Sequence, residues 1–275
     1  MKLKNSLIIL ALLLLIGCTA PVKKAKGYVV ISPEIAEIIA ALGASDDVIA
    51  VTAECTYPAW LQEKRSVGKF GEIKFEDIIN LNPAIVFTSE LEQQDLADKL
   101  EKLGIKVVRT YPQSVEGVYE AITKIGAEIG RIKEAEELNN SLKQQVKALS
   151  SLVVDRPRVY LEIWNNPLMS VSDKSFVGEL IELAGGDNIF TELERDYARV
   201  KPEMVIDADP QIILSYSKTS LTEMSQRKGW ENVSAIKSGY VFEDNDINPD
   251  WLFRAGPRFV LGIKALQETF RACKQ

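Results

Sequence analysis

Eleven residues near the C-terminus, NPDWLFRAGPR at 248–258, gather a carboxylate, two guanidiniums and two aromatic rings. Asp250 and Arg254 stand four apart and flank the apolar pair Trp251 and Leu252. Two kinds of chemistry fit this set. On an exposed helix, a carboxylate and a guanidinium at i, i+4 form a surface ion pair worth about 0.2–0.5 kcal/mol. In a cleft they form a clamp for amides: the carboxylate accepts from an amide N–H and the guanidinium donates to an amide oxygen. Spacing alone leaves both open. The chain contains no histidine, so the commonest metal ligand and the commonest general base are both missing. Any catalytic proposal must therefore do without a histidine triad or a histidine zinc site.

The rest of the composition bounds the partners. With 275 residues, 46% of them apolar and 26% charged, the chain is long enough for two lobes with real cores. The formal net charge of −6 supplies no basic footprint for nucleic acid.

The N-terminus reads as a targeting segment. MKLKNSLIILALLLLIGC has Lys2 and Lys4 followed by an apolar run from Leu7 to Ile16, the order of a secretory signal. The run is short for a membrane span, which needs about 20 residues. Its end, LIGC, resembles a bacterial lipobox. That resemblance implies cleavage before Cys18 and lipid attachment there. Residues 1–18 are thus assigned to the signal and 19–27, TAPVKKAKG, to a polar tether. The mature protein is expected to be exported and held at the outer face of the cytoplasmic membrane. Cys55 and Cys273 remain. In an oxidising compartment they can pair, and a free buried Cys55 is equally compatible with the sequence.

Further on, strands and helices alternate. YVVI is a strand; SPEIAEIIAALG is a helix with Ser32 at N-cap, Pro33 at N1 and Gly43 at its end; VIAVT is a second strand. FEDIINLN, AIVFTS, LEQQDLADKLEKLG and IKVVRT continue the pattern, giving an α/β lobe over 28–113. Between 114 and 153 the period changes. Ile122, Ile125, Ile129, Ile132, Leu138, Leu142 and Val146 recur at helical spacing. This predicts one connecting helix of more than about thirty residues, a rod roughly 50 Å long at about 1.5 Å per residue. After Pro157 the α/β pattern returns, giving a second lobe over 154–275 that closes on the helix GPRFVLGIKALQETFRAC, with Gly256 and Pro257 as its N-cap and N1.

The two lobes echo each other. FEDIINLNPAIVFTS at 75–89 aligns without a gap on PEMVIDADPQIILSY at 202–216. Each unit has a glutamate seven residues before a proline and then a buried strand. The fold class expected is α/β, two Rossmann-like lobes joined by a single long backbone helix, with ligands bound between the lobes at the strand C-termini.

On SPEIAEIIAALGASDDVIAVT, YPAWLQEKRSVGKFGEIKFEDIINLNPAIVF, SFVGELIELAGGDNIF and VKPEMVIDADPQIIL, the chain resembles the cluster A (type III) periplasmic binding proteins of ABC importers. The resemblance covers nearly the whole mature chain. It implies lobes that move little on binding, and a ligand that is an iron–siderophore, haem, cobalamin or, in a subgroup that relies on histidines, a metal ion. NPDWLFRAGPR resembles the stretch that cobalamin-binding members carry before their last helix, which assigns Asp250, Trp251 and Arg254 to a corrinoid and its peripheral amides.

Other roles are implied by position. Tyr57 and Phe70 on the first lobe, and Trp164 and Tyr197 on the second, are the aromatics expected to stack on a flat macrocycle. Phe70 replaces the Trp of the nearest cobalamin binders, and Trp164 has no clear counterpart, so a ferric siderophore or haem stays as the alternative ligand. Glu76 and Glu203, one per lobe, are implied to dock onto arginines of the permease. A helix-dipole role at a first turn is compatible with the same placement. The expected partners are an ABC permease with its ATPase, a corrinoid, and the membrane through a lipid anchor. The protein is expected to be a monomer.

Overall fold

A computed structural model describes residues 26–69, 71–89, 93–151 and 156–273. The first lobe is built on a five-stranded sheet of order β3-β2-β1-β6-β7. Its strands are β1 (Tyr28–Val30), β2 (Val48–Val51), β3 (Arg65–Ser66), β6 (Ile85–Ser89) and β7 (Val107–Thr110), and every pairing is parallel. A two-residue hairpin, β4 (Gly68–Lys69) with β5 (Glu72–Ile73), follows β3. The central strands are continuous apolar runs buried on both faces, as parallel strands covered by helices must be. Helix α1 (Pro33–Ala41) starts with Pro33 in the first turn and ends before Gly43, whose φ of +70° suits a residue without Cβ. Ser32 holds the N-cap position, but its hydroxyl bonds the Glu34 carboxylate rather than a free amide.

The internal echo is a repeated piece of structure. Helix α2 (Phe75–Leu81) ends at Asn82 with φ +49°, and α7 (Pro202–Ala208) ends at Asp209 with φ +43°. Asn and Asp tolerate this left-handed conformation. A proline then forbids further helix, and the chain turns into β6 or, in the second lobe, β13 (Ile212–Ser215). Glu76 and Glu203 hold the same place in their helices. Helix α3 (Gln94–Lys102) lies between β6 and β7.

The connection between the lobes departs from the expected single rod. Residues 115–150 form two helices, α4 (Val115–Glu128) and α5 (Ile132–Ser150), folded back on each other. Gly130, at φ +71°, takes the left-handed conformation that ends α4 and reverses the chain. Gly126 lets the helices approach: a Cβ there would lie 2.6 Å from the Ala135 Cβ. Asn139 Nδ2 donates to the Tyr119 carbonyl and to Thr123 Oγ1, both at 3.0 Å, and the Lys143 ammonium lies 4.7 Å from the Tyr119 ring centroid. The apolar period persists across the break because both helices turn the same kind of face to the core.

The second lobe has a parallel sheet of order β11-β8-β13-β14, comprising β8 (Arg158–Glu162), β11 (Asp187–Asn188), β13 and β14 (Val241–Glu243). A three-stranded antiparallel sheet, β9 (Trp164–Asn165), β10 (Leu168–Val171) and β12 (Tyr197–Arg199), accompanies it. Helix α6 (Phe176–Leu183) is capped by Ser175, whose hydroxyl accepts from the Gly178 amide at 3.0 Å. Two short helices follow β13: α8 (Leu221–Ser225) and α9 (Ser234–Ser238).

The segment 248–258 forms a five-residue helix, α10 (Pro249–Phe253), capped by the Asn248 side chain. The last helix, α11 (Phe259–Ala272), begins two residues beyond the expected Pro257. Its Phe259 meets Tyr119 of α4 and Phe176 of α6 edge-on, at 6.2 and 6.3 Å. Gln267 donates to the Leu149 carbonyl at 2.8 Å. One apolar core thus runs from α1 and β6 through the helical hairpin to α6, β8 and α11. Cys55 and Cys273 are both free thiols.

Candidate functional site

Several half-exposed rings stand at or just beyond the ends of strands and helices in both lobes. Tyr57 follows β2 and Tyr111 follows β7; Trp164 opens β9 and Tyr197 opens β12; Phe253 ends α10. All five are between 36 and 56% exposed, which is unusual for rings of this size in a protein with a well-filled core. Phe253 stands edge-on to Tyr216, just past β13, at 5.0 Å, and Tyr216 is fixed by donating its hydroxyl to the Ile247 carbonyl. The Trp164 indole N–H donates to the Asn166 carbonyl at 2.8 Å. The Tyr197 phenol is pushed up to about 12 by burial first, then by Tyr111 from the other lobe and by Asp196. Tyr111 and Phe253 were not singled out as ligand residues from sequence; only their position, just past β7 and at the end of α10, distinguishes them.

Behind Tyr57 lies a charge cluster that ties the lobes together. Its centre is Glu37 of α1, 3% exposed. Arg258 donates to both Glu37 oxygens, from Nε at 2.8 Å and Nη2 at 2.5 Å, and Arg254 Nη1 reaches Glu37 Oε1 at 3.2 Å. Asp250 pairs with Arg254 Nε at 3.1 Å and with Arg258 Nη2 at 3.5 Å. Arg254 Nη2 also donates to the Glu54 carbonyl at 3.2 Å. A buried carboxylate needs such company, because desolvation costs several kcal/mol per ion. Burial works against the Arg258 charge, but the Glu37 hydrogen bonds and charge, with Asp250, outweigh it and raise the guanidinium further. Glu34, half-buried beside this cluster, has its carboxyl pushed up by burial.

The pair singled out at 250 and 254 is therefore an i, i+4 contact, as the spacing allows, but it belongs to a four-residue network rather than to an open surface. Asp250 is the least covered of the four, with 31% of its side chain exposed. Trp251 is half-buried. Glu37 was not found in the sequence, where it is one of two glutamates in an otherwise apolar helix.

A second buried pair closes the end of β8. Glu162, fully buried, receives Arg227 through two nitrogens at 2.5 and 2.9 Å and the Ser217 hydroxyl at 2.6 Å. Arg227 in turn stacks 4.5 Å from the Trp230 ring centroid.

Glu76 and Glu203 are exposed on the first turns of α2 and α7, and neither carries an ion pair among the described residues. Phe70 and Cys18 lie outside the described residues. No group of three or more His, Cys, Asp or Glu that could hold a metal ion occurs among the described residues. No helix among them is long and apolar enough to cross a membrane. A concavity of about 710 Å³ lies on the first lobe beside Glu76.

The family described as periplasmic binding protein matches residues 29–257. The chain belongs to this family. Its two-lobed α/β architecture with a parallel sheet in each lobe is that of the type III members. An ABC transporter substrate-binding lipoprotein of Bacillus subtilis, YvrC, described as uncharacterized, is 27% identical over 257 residues, 90% of this chain and 80% of that protein. A vitamin B12-binding protein of Yersinia pestis (strain Pestoides F) is 26% identical over 260 residues, 93% of this chain and 90% of that one. The structure of the periplasmic heme-binding protein RhuT from Roseiflexus sp. RS-1 superposes with a TM-score of 0.79 at 21% identity, covering 91% of this chain and all of the other. This periplasmic binding protein is the substrate-binding component of an ABC transporter. It is not an enzyme, and its role implies a permease partner.

Proposed function

We propose that this substrate-binding protein captures cobalamin or a related corrinoid between its lobes and hands it to its permease. It is held at the outer face of the cytoplasmic membrane by a lipid on Cys18. The observation that carries the ligand reading is the set of half-exposed rings Tyr57, Tyr111, Trp164, Tyr197 and Phe253 at or near the ends of strands and of α10. A corrin is broad and flat, and such rings cover it at low cost in conformational entropy. Asp250, the most accessible member of the charge cluster, with Arg254 beside it, supplies an acceptor and a donor for the peripheral amides. The vitamin B12-binding relatives, similar over about nine-tenths of their length, support the same reading. Docking is assigned to Glu76 and Glu203, which the repeat places alike in the two lobes for a receptor with two-fold symmetry.

A second reading, haem or a ferric siderophore, is favoured by Tyr57. Its phenol is 47% exposed beside Arg258, and tyrosinate is a ligand for haem iron. Absorption spectra of the purified protein after incubation with cyanocobalamin, cobinamide, haemin and a ferric siderophore, followed by desalting, separate the two. Retained corrinoid bands are expected. Retention of haemin or the iron complex with loss of both corrinoids overturns the first reading.

A further inference from the structure

We propose that the concavity beside Glu76 is a socket that receives an apolar side chain of the permease, carried next to the basic residue that meets Glu76. The proposal rests on the docking role given to Glu76. Its walls are Ile73 at the end of β5, Phe75 in the first turn of α2 and Leu96 in the first turn of α3, each half-buried and contributing to the small core on the outer face of the first sheet. The floor is firm. Gln93 is 8% exposed; its amide donates to the Ile31 carbonyl at 3.0 Å, and its oxygen accepts from the Thr88 hydroxyl.

Charge fixes the kind of occupant. Glu76 and Asp95 are both exposed at the mouth, and neither has an ion-pair partner among the described residues; Lys99, one turn along α3, is the one cation among the described lining residues. Two acids against one lysine leave the mouth negative and the walls apolar. That combination complements a loop bearing an arginine or lysine next to a large apolar side chain, and apolar side chains seated in pockets carry most of the affinity of protein contacts. A volume of about 710 Å³ has room for that apolar side chain together with the turn of the loop that carries it.

The second lobe is not equivalent. There the residue after the docking glutamate is Met204, 42% exposed, where the first lobe has Asp77 bound to Arg65 at 3.0 Å. The repeat duplicates the acids, but the residue beside each acid differs between the lobes.

The test uses the full-length protein and its detergent-solubilised cognate permease–ATPase complex, with the dissociation constant read by interferometry in the absence of any ligand. Lys99→Trp puts a large ring on the lining of the concavity, where Lys99 stands. Lys102→Trp, exposed on the next turn of α3, is the control for added bulk. Lys99→Trp is expected to weaken the complex at least about tenfold, with Lys102→Trp within about twofold of wild type. Wild-type affinity for Lys99→Trp, or an equal loss in Lys102→Trp, overturns the socket. Glu76→Ala separates the two levels. If it binds the permease normally, the docking role itself falls. If it weakens binding while Lys99→Trp does not, only the socket falls.

Discussion

Arg258 lies against the Tyr57 ring, its guanidinium carbon 4.0 Å from the ring centroid, while its nitrogens hold Glu37. One residue from the second lobe thus touches both the exposed rim and the buried floor of the first. A stacked guanidinium keeps all its N–H donors in plane for hydrogen bonding, so the two contacts do not compete.

Removing Arg258 is expected to destabilise the protein. Arg258→Gln leaves the buried Glu37 with Arg254 as its remaining cation. Breaking a fully buried pair costs about 3–5 kcal/mol; with one partner kept, about 2–3 kcal/mol is expected, a fall in Tm of roughly 5–10 °C. Thermal denaturation without ligand checks this. An unchanged Tm would show that the cluster does not hold the lobes together.

Asp250→Ala and Arg254→Ala are each expected to lower cobalamin affinity roughly ten- to a hundredfold, since hydrogen bonds to charged groups contribute about 1.5–3 kcal/mol. They should differ in stability. Arg254 binds Glu37, the Glu54 carbonyl and Asp250, so its loss also lowers Tm by several degrees, while Asp250→Ala leaves Glu37 with both guanidiniums. Calorimetric titration together with melting curves reads both. Wild-type affinity in the two variants leaves the cluster a purely structural device.

Cys55 sets an alkaline limit. Burial pushes its thiol up from 9.0 to about 11. Because the folded value lies above the unfolded one, the neutral thiol stabilises the native state fully below about pH 9, and that contribution is lost as the pH rises towards 11. Denaturant unfolding between pH 8 and 11 should show this decline, and Cys55→Ala should show a shallower one. Equal slopes in the two proteins would place the alkaline sensitivity elsewhere.

Cys18→Ser is expected to move the protein from the membrane to the soluble fraction and to abolish labelling by a fatty-acid probe. Membrane retention of the variant would mean that the anchor is elsewhere.

The double variant Glu76→Ala, Glu203→Ala should retain ligand affinity and lose transport, and added salt should mimic the loss in the wild type, since exposed docking charges act on steering and register. Normal transport by the variant would reduce both acids to helix-start residues.

Much of the architecture is legible in the residues because strands and helices here differ in period. The repeat was visible as well, because the same glutamate, proline and strand recur at one offset. The hairpin was not, because α4 and α5 bury faces of the same period and only Gly130 marks the turn, as a lone glycine does inside many unbroken helices. The small antiparallel sheet of the second lobe was missed since its strands are two to four residues long. At the site, the charges at 250 and 254 could be paired by spacing. Glu37 could not, because its partners are more than two hundred residues away.

Because α11 is wedged between the helical hairpin and α6 and completes a core common to both lobes, neither half of the molecule is a folding unit by itself. Heating should give one cooperative endotherm rather than two. A product cut short before Phe259 would strand apolar surface on the first lobe as well as the second, so such truncations should be cleared by proteases instead of persisting as half-receptors.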